Sequence, residues 1–484
     1  MAYLGIDVGT SSVKVGLMGV NQWVFKSTPV AGTDEGLKRG MLDPEDWWNA
    51  TRIALRSLAG VVPLDDVDAI GVIGNTPTLI FVGHDGKPVY PAILWSDTRS
   101  DLEAQQLLGE HTQVEWNEIY GGYIPVSAAY PSAKLRWMQR HEQDVMARTA
   151  KILQPKDFVN FHLTNVMAGD VWTSKGLVRL DSVDGAGPLE ALGLNPSLAP
   201  ICRRPIDVIG YITADVSAQT GLPEGIPVVA GWSDTLGAVV SMGLQDGDGF
   251  ILSGTSDSVG ILAKRDTPPQ KSPAVLCAPV WDSGYTVVYG PTSSGLSTVH
   301  WAEKALSLNL LNMEPKSFSD EGLPIFLPFV MGQRSPIWND HVRGAWLNID
   351  MQTTPEQLGA SVLQGVVMAE RDVMEAVQKF MGESCTRLVV TGGGANIPSL
   401  NVWRSALFNL PLFQMSTDPV WGAALLAYWG QHPHDFPHSP VVLPLPSPVD
   451  YKVKVSQNSR YERYAQGKET VLWYAVQERE RREF

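Results

Sequence analysis

The chain has 484 residues, a net charge of −14 and a pI near 5.1. This acidic balance argues against nucleic acid as the main partner, because binding a phosphate backbone needs a basic face. Hydrophobic residues make up 44% of the chain and charged residues 18%, which is typical of a folded protein and excludes a disordered one. The length predicts about three domains, and two large domains are equally allowed.

The cysteines and the N-terminus indicate the compartment. There are three cysteines, Cys202, Cys277 and Cys385. Their odd number and wide spacing predict free thiols in a reducing cytosol rather than a disulfide framework or a zinc site. The first apolar segment is interrupted by Asp7 and has no basic stretch before it, so we do not expect a signal peptide. The apolar window 227–244 contains Asp234 and is too polar to span a bilayer. We therefore expect a cytoplasmic protein.

The first candidate site is a hairpin near the N-terminus. Residues 3–17 are predicted to form two short apolar strands joined by a polar turn. In that turn Gly9 permits a sharp bend, and the hydroxyl and N–H groups of Thr10 and Ser11 suit phosphate oxygens. Asp7 ends the first strand, where Mg²⁺ would offset its charge. An ordinary Gly- and Ser-rich turn is the alternative.

Helix and strand signals alternate after this hairpin. A helix should run to about Ala59, with Asp43 as its N-cap and Pro44 at its first position. A buried strand at 69–73 should lead into the polar loop 75–78. We predict three further helices, at residues 101–109, 132–148 and 155–163.

A second candidate acid follows another buried strand. Residues 227–230 are apolar, and the turn that follows them ends at Asp234, just before a small-residue helix at 236–242. Such a turn can aim a carboxylate into a site, as a proton-accepting base requires. The alternative is that Asp234 caps a helix that starts at Thr235, and the two roles can coexist.

The second half of the chain repeats the hairpin pattern. Residues 250–263, FILSGTSDSVGILA, match residues 5–18, GIDVGTSSVKVGLM, in having an apolar strand, a Gly-Thr-Ser turn and a second apolar strand. The turn residues of this second hairpin are Gly254, Thr255 and Ser256. The repeat indicates two related α/β domains, each presenting a hydroxyl-rich turn to a shared cleft. Chance similarity of two short hairpins is the alternative.

The remaining elements are predicted from periodicity and capping signals. Strands are expected at residues 275–290, 325–327 and 387–390. Helices are expected at residues 294–306, 354–381, 399–408, from 418 onward, and 468–482. The strand at 387–390 runs directly into a glycine-rich loop, 391–395. Arg334 either orders a loop near the site or forms a structural ion pair. The Pro-rich segment 431–448 is predicted to be a surface loop or linker.

Taken together, these motifs resemble the FGGY carbohydrate kinases over essentially the whole chain, and the xylulose kinases among their subfamilies. The motifs that carry the resemblance are DVGTSSVK at 7–14, PAILWSDTR at 91–99, PSAKLRWMQRHE at 131–142, QPKDF at 154–158, AGWSDT at 230–235, SGTS at 253–256, FLPFVMGQRSP at 326–336 and TGGGA at 391–395.

The resemblance implies an α/β fold of two related actin-like ATPase (ribonuclease H-like) domains around a central cleft. Residues 1–240 would form the N-terminal domain, with the sugar-binding side, and residues 241–484 the C-terminal domain, with the nucleotide-binding side. ATP and Mg²⁺ would be the cofactors and a small sugar the substrate. No nucleic-acid or membrane partner is expected, and a homodimer is compatible with the resemblance.

The resemblance also implies roles for individual residues. Asp234 falls on the family's catalytic base and Asp7 on the acid near the metal and the γ-phosphate. The residues that fall on the phosphate hairpins are Gly9, Thr10, Ser11, Lys14, Gly254, Thr255 and Ser256. Those that fall on the loop against the adenine and ribose are Gly393, Gly394 and Ala395. Those expected on the sugar side are Asn75, Thr76, Pro77, Trp95, Asp234 and Thr235.

One departure from the family bears on the substrate. Xylulose kinases usually carry Gln-Met-His-Gly where this chain has residues 75–78, so that Pro77, which lacks an N–H and a side-chain donor, replaces a histidine. Thr235 stands where Asn or Gln is common. D-xylulose is the leading candidate. Because hydrogen-bonding sites discriminate strongly between hydroxyl patterns, these departures leave ribulose, gluconate, erythritol or glycerol types open as well. A non-catalytic actin-like ATPase and a sugar sensor are the rival classes.

Overall fold

This computed structural model describes residues 2–19, 23–181, 187–265, 274–313, 322–438, 447–449 and 457–482. Its strands are β1 (Ala2–Val8), β2 (Ser12–Gly19), β3 (Trp23–Pro29), β4 (Met41–Leu42), β5 (Val67–Gly74), β6 (Ile80–Gly83), β7 (Ala92–Ile93), β8 (Thr149–Leu153), β9 (Ala168–Asp170), β10 (Ile201–Arg203), β11 (Val208–Tyr211), β12 (Pro227–Val229), β13 (Trp232–Ser233), β14 (Asp248–Ser253), β15 (Asp257–Lys264), β16 (Leu276–Val280), β17 (Tyr285–Pro291), β18 (Ile325–Leu327), β19 (Ala345–Leu347), β20 (Arg387–Thr391), β21 (Leu412–Gln414) and β22 (Ser447–Val449).

Its helices are α1 (Thr33–Arg39), α2 (Pro44–Ala59), α3 (Asp101–Glu110), α4 (Gln113–Tyr120), α5 (Pro131–His141), α6 (Gln143–Arg148), α7 (Pro155–Thr164), α8 (Gly187–Ala191), α9 (Ala214–Thr220), α10 (Asp234–Val240), α11 (Leu296–Leu306), α12 (Pro355–Met381), α13 (Pro398–Phe408), α14 (Pro419–Gln431) and α15 (Gln457–Arg482). Short 3₁₀ turns lie at Pro196–Leu198 and Gly393–Asn396.

The chain forms two compact units. The first unit contains Met1–Gly243 and Asp418–Leu443, and the second contains Leu244–Thr417 and Pro444–Phe484. Helix α14 therefore belongs to the first unit, although the chain has already passed through most of the second. A single division at residue 240 does not include this return.

The first unit is built on a sheet with the strand order β11-β12-β5-β1-β2-β3, to which β13 adds by pairing with β5. Strands β1 and β2 are antiparallel, with Asp7 opposite Lys14 and Val8 opposite Val13. Strand β5 lies parallel to β1 on its other side. The predicted first hairpin is confirmed, and it lies in the middle of the sheet.

The second unit repeats this arrangement. Its main sheet has the order β16-β17-β15-β14-β20-β21-β22, and β14 and β15 form an antiparallel hairpin in which Ser253 lies opposite Asp257. Strand β14 also pairs in parallel with β20, as β1 does with β5. Each unit thus has a hairpin with a three-residue Gly-Thr-Ser turn, flanked by an antiparallel strand on one side and a parallel strand on the other. The predicted repeat is confirmed.

Helix α14 packs on the first sheet at glycine positions, where its backbone approaches the strands closely. A Cβ atom on Gly71 would lie 1.9 Å from the carbonyl oxygen of Ala423, and one on Gly5 would lie 2.0 Å from that of Val420. Both distances are far shorter than van der Waals contact. The glycines of β1 and β5 therefore permit this helix–sheet contact.

Replacing Gly71 by alanine is expected to lower the free energy of unfolding by about 1–3 kcal/mol or more, because the methyl group would overlap the backbone of α14. The matched control is Gly109→Ala in α3, where an added Cβ meets no atom within 4 Å. That change should stabilise the helix by about 0.5–1 kcal/mol, because alanine has the higher helix propensity. Urea unfolding of the two variants measures the difference, and equal midpoints would contradict the packing argument.

Capping signals predicted two helix starts correctly. Asp43 accepts a hydrogen bond from the backbone N–H of Glu45 and begins α2, and Thr354 caps α12 in a capping box with Gln357. The prediction of one helix at 132–148 is wrong, because the chain leaves the helical conformation at Glu142. The side chain of Glu142 accepts a hydrogen bond from the Tyr90 hydroxyl, a tertiary contact that local periodicity does not show.

The terminal helix starts eleven residues earlier than the predicted residue 468, at Gln457. Its early part is held by contacts with distant residues: the Arg460 guanidinium donates hydrogen bonds to the carbonyl oxygens of Leu323 and Pro324. Part of the predicted Pro-rich loop, residues 439–446, lies outside the described residues.

All three cysteines are free; Cys202 and Cys385 are buried, and Cys277 is half-buried. None of the helices in the described part of the chain is both long enough and apolar enough to cross a membrane.

Candidate active site

Two tryptophans hold the turn of the first hairpin. The indole N–H of Trp47, on α2, donates to the Gly9 carbonyl oxygen at 2.9 Å. The indole N–H of Trp95 donates to the Thr10 hydroxyl at 3.3 Å, and Trp95 is 44% exposed. Ser11 is exposed at the tip. These two hydrogen bonds hold the turn in place. No sequence signal indicated that Trp47 takes part.

Asp7 lies at the end of β1, next to this turn. Its carboxylate is buried, and its Oδ1 atom has no hydrogen-bond partner among the described residues. Burial raises the pKa of Asp7 to about 7, and the negative charge of Asp234 adds to this effect, whereas Lys14 opposes it. Val8, which follows Asp7, and Ser233, which precedes Asp234, both pair with Gly74 of β5, so the two acids lie at the same end of the sheet.

Lys14 forms an ion pair that the sequence analysis missed. Its ammonium lies 2.7 Å from Oδ2 of Asp418, and the other oxygen of Asp418 accepts from the backbone N–H of Val420 as the N-cap of α14. The sequence signal for Asp418 was a helix start only. The structure therefore connects the predicted phosphate lysine to the helix that returns to the first unit.

Asp234 is the first residue of α10. Ser233 is the N-cap of that helix and accepts from the Leu236 N–H, so the interpretation of Asp234 as the cap of a helix starting at Thr235 is wrong. Oδ1 of Asp234 accepts from the backbone N–H of Thr235 at 2.6 Å and from its hydroxyl at 3.3 Å. Burial raises the pKa of Asp234, while these hydrogen bonds and the charge of Lys175 oppose the increase.

The backbone that precedes Asp234 is fixed by a buried polar cluster. The carbonyl oxygen of Ala230 accepts from the Lys156 ammonium at 3.0 Å and from the Asn160 amide at 2.9 Å. Lys156 is fully buried and lies 3.0 Å from Asp170. Gly231 has φ +76°, and a Cβ there would lie 1.7 Å from the Val72 carbonyl oxygen. These contacts determine where the turn places the Asp234 side chain.

The loop at 75–78 uses most of its polar groups internally. The Asn75 amide donates to the Val8 carbonyl oxygen at 3.1 Å, and its Oδ1 accepts from the Thr78 hydroxyl at 2.7 Å. Asn75 and Pro77 are buried, and Thr76 is half-buried. Of the residues expected to contact the sugar in this loop, only Thr76 therefore has a side chain partly open to a ligand.

Lys175 is a further charged group near this loop, and the sequence analysis did not identify it. Its Nζ atom lies 3.5 Å from the hydroxyl of Thr76, and the charge of Asp234 acts on it electrostatically. A single lysine in the run Trp172–Gly176 carries no motif signal.

The turn of the second hairpin is also held by side chains. Oδ1 of Asp257 accepts from the Gly254 N–H at 3.0 Å, and the Ser297 hydroxyl donates to the Thr255 carbonyl oxygen at 2.7 Å. The Arg334 guanidinium donates to the Ser256 hydroxyl at 2.8 Å. Of the two alternatives for Arg334, this contact favours a role in ordering a loop near the site over a structural ion pair.

One buried arginine joins the second hairpin to the glycine-rich loop. The Arg404 guanidinium donates to the Ser253 hydroxyl at 2.6 Å, to the Gly394 carbonyl oxygen at 3.1 Å and to the Glu370 carboxylate at 2.6 Å. Neither Arg404 nor Glu370 exposes any surface. In the loop itself Gly393 is exposed, whereas Gly394 and Ala395 are buried.

Two family models cover most of the chain. The model described as the FGGY family of carbohydrate kinases, N-terminal domain, matches residues 2–241. The corresponding C-terminal domain model matches residues 249–430. The chain belongs to the FGGY family of carbohydrate kinases.

Similar proteins agree with this membership. This FGGY kinase is 28% identical over 457 residues to the xylulose kinase of Escherichia coli strain K12, a match that covers 89% of this chain and 90% of the relative. It is 23% identical over 438 residues to the gluconokinase of Bacillus subtilis strain 168, with 84% and 82% covered. The crystal structure of xylulose kinase from Rhodospirillum rubrum has a TM-score of 0.86 at 22% identity, over 98% of this chain and 100% of that chain.

These findings confirm the expected fold and chemistry at the level of the family. The chain has the two-domain, actin-like ATPase fold, with one sheet-containing unit for each family domain. As an FGGY kinase it is an enzyme that phosphorylates a small carbohydrate, with ATP as the phosphoryl donor.

One acid of the first unit meets the requirements of a Mg²⁺ ion. No group of three His, Cys, Asp or Glu side chains arranged to bind a metal occurs within the residues that the structure describes. Mg²⁺ needs only one or two carboxylates, since it keeps several waters and binds the substrate phosphates. Asp7, whose buried Oδ1 atom has no partner among the described residues, is the carboxylate that fits this requirement best.

Proposed function

We propose that this FGGY kinase transfers the γ-phosphoryl group of ATP to a small ketose, first of all D-xylulose, which would yield D-xylulose 5-phosphate. The observation that carries the proposal is the position of Asp234, at the start of α10, on a backbone turn fixed by buried contacts and at the same end of the sheet as Asp7. The choice of D-xylulose is supported by the similarity to the Escherichia coli xylulose kinase.

In this mechanism Asp234 accepts the proton of the attacking sugar hydroxyl. Thr235 hydrogen-bonds only Oδ1, which orients the carboxylate and leaves Oδ2 for the substrate. The new bond forms between the sugar oxygen and the γ-phosphorus. The bond from that phosphorus to the oxygen of the β-phosphate breaks, and ADP leaves. A hydroxyl is a poor nucleophile at neutral pH, so this proton transfer and the alignment of the reactants supply much of the rate enhancement.

The two Gly-Thr-Ser turns are proposed to bind the phosphates of ATP. In the first turn Thr10 and Ser11 offer hydroxyl and N–H donors, and Lys14 adds a cation, while Asp7 would hold Mg²⁺. Bound Mg²⁺ would neutralise negative charge on the β- and γ-phosphate oxygens.

The residues proposed to act on the nucleotide in the second unit are Gly254, Thr255, Ser256, Gly393, Gly394 and Ala395. Assigning the sugar side to residues 1–240 and the nucleotide side to residues 241–484 is part of the same proposal.

An aldonate such as gluconate is the second candidate substrate. Its support is the similarity to the Bacillus subtilis gluconokinase, together with the loop at 75–78, whose sequence departs from that of xylulose kinases. A ketose carries a ketone carbonyl, whereas an aldonate carries a terminal carboxylate. A hydrogen-bonding site distinguishes such groups strongly.

A coupled assay of ADP release tests the proposed function. We expect Mg²⁺-dependent ADP release with D-xylulose that exceeds the release with other pentuloses, hexuloses, polyols and aldonates, and a low rate without sugar. Loss of the signal on omission of Mg²⁺ would support the metal assignment. No activity with any sugar would overturn the proposal. ATP hydrolysis that is independent of sugar would favour a non-catalytic actin-like ATPase, and tight sugar binding without turnover would favour a sensor.

A further inference from the structure

Lys175 is a buried cation that the proposed mechanism does not use. It follows β9, in the segment that also contains Trp172 and Thr173, and only 4% of its surface is exposed. Buried lysines in proteins are normally paired with an acid, since an unpaired ammonium loses its hydration without compensation. No described acid lies within ion-pair distance of Lys175.

The hydrogen bonds of the Lys175 ammonium are incomplete. Nζ lies 3.3 Å from the carbonyl oxygen of Trp172 and 3.5 Å from the hydroxyl of Thr76. The second distance is at the outer limit of a hydrogen bond. An ammonium has three donors and no acceptor. The ammonium also lies over the Trp172 ring, 5.6 Å from its centroid. A carbonyl oxygen, a distant hydroxyl and a ring face leave it able to donate to a further acceptor oxygen.

The surroundings of Lys175 are those of the sugar side. Thr76 is the half-buried member of the loop at 75–78, and its hydroxyl also donates to the Thr173 carbonyl oxygen at 3.2 Å. The negative charges of Asp170 and Asp234 favour the charged form of Lys175. The cation thus lies against the loop in which this chain departs from xylulose kinases, and the charge of the proposed base acts on it.

We propose that Lys175 is a substrate-binding residue that donates a hydrogen bond to an sp² oxygen of the sugar, either a ketone carbonyl or a carboxylate. This inference rests on the proposed function and specifies its substrate class. A carbonyl or carboxylate oxygen only accepts hydrogen bonds, which matches a donor that cannot accept. A polyol carries a hydroxyl at the same position, which can also accept this bond, but its own proton then needs a further acceptor, and an ammonium has none to offer.

Because the Lys175 donor is charged, its proposed contact with the sugar should depend on pH. Burial lowers the pKa of Lys175 to about 8, opposed by the charges of Asp170 and Asp234, while Lys156 lies against Asp170. Below that pH the ammonium is present and binds the sugar oxygen. As the pH rises through about 8 the charge is lost, and the KM for the sugar should increase.

The variant Lys175→Met tests this role, because it keeps the length of the side chain and removes its donors. With the sugar that the wild type phosphorylates, we expect the KM for sugar to rise about 10- to 100-fold, with little change in the KM for ATP. The matched control is Lys151→Met, since Lys151 also donates to two backbone carbonyl oxygens, those of Ser197 and Ala199, but lies outside the candidate site. Its KM for sugar should equal that of the wild type.

Three sugar classes, each assayed with wild type and Lys175→Met, identify the oxygen. A selective loss with ketoses supports the carbonyl, and a selective loss with aldonates supports the carboxylate. An equal effect on polyols, or an unchanged KM in an active variant, would overturn the role of Lys175 while leaving the kinase function intact. A wild-type protein that is inactive with all three classes would overturn the proposed function and this inference with it.

The pH profile of the wild type provides a test that does not depend on the folding of a variant. The KM for sugar should rise above about pH 8 in the wild type and in Lys151→Met, and this rise should be absent in Lys175→Met. A KM that does not change between pH 7 and pH 9 in the wild type would contradict the proposed contact.

Discussion

Replacing Asp234 by asparagine is expected to lower sugar-dependent ADP release by a factor of about 10² to 10⁴, because the amide cannot accept the proton of the sugar hydroxyl. Asparagine retains an oxygen that can accept from Thr235, so the start of α10 should keep its geometry. Binding of ATP should stay close to that of the wild type. Steady-state kinetics and calorimetric titration with ATP separate the two effects.

Asp215→Asn is the matched control for this change. Asp215 lies in the first turn of α9. Like α10, α9 is a helix of seven residues in the first unit. Its carboxylate accepts from the Gln219 amide and takes no part in the candidate site. Activity of Asp215→Asn should equal that of the wild type. Near-normal turnover in Asp234→Asn would show that this residue is not the base.

Replacing Arg404 by methionine is expected to reduce stability by about 3–5 kcal/mol, because the carboxylate of Glu370 would be left buried without its partner. The same change removes the hydrogen bonds that hold Ser253 and Gly394, so the KM for ATP should rise while the KM for sugar changes little. Chemical denaturation and nucleotide kinetics measure the two effects.

The double variant Arg404→Met, Glu370→Gln separates charge from packing. Because it removes both charges, it should be more stable than Arg404→Met alone. Arg343→Met is the control, since Arg343 is exposed and donates to backbone carbonyl oxygens. Its loss of stability should be well under 1 kcal/mol. If Arg404→Met were no less stable than Arg343→Met, the buried network would not support the second unit.

Local sequence signals predicted the features that depend on neighbouring residues. Asp43 and Thr354 mark the starts of α2 and α12, because an N-cap acts on N–H groups two or three positions away. The two Gly-Thr-Ser turns were visible because each hairpin is a contiguous stretch of alternating strand and turn residues. The family resemblance then assigned their chemistry.

The contacts that organise the candidate site are distant in sequence and could not be predicted in this way. Lys14 and Asp418 are 404 positions apart, and Arg404 and Ser253 are 151 positions apart. Periodicity reports which face of an element is apolar, but not which polar side chain on another element it meets. Lys175 was missed for the same reason.

The loop at 75–78 illustrates what the sequence could predict and what it could not. The sequence identified the loop as the place where this chain departs from the xylulose kinases. It also suggested that Asn75, Thr76 and Pro77 contact the sugar. The structure assigns Asn75 to the support of Val8 and Thr78 and leaves Thr76 beside Lys175. In our proposal, specificity at this loop depends on Thr76 and Lys175, which are separated by 99 positions.

The return of α14 to the first unit affects the order of events during protein synthesis. Until residues 419–431 have left the ribosome, the glycine-lined face of β1 and β5 has no helix to pack against, and Lys14 has no Asp418 to pair with. The first unit thus stays incomplete while the segment Leu244–Thr417 of the second unit is translated. Domains generally fold in order from the N-terminus, and exposed sheet surfaces favour aggregation. In this chain the unit whose synthesis begins first is therefore completed only after most of the second unit has been made.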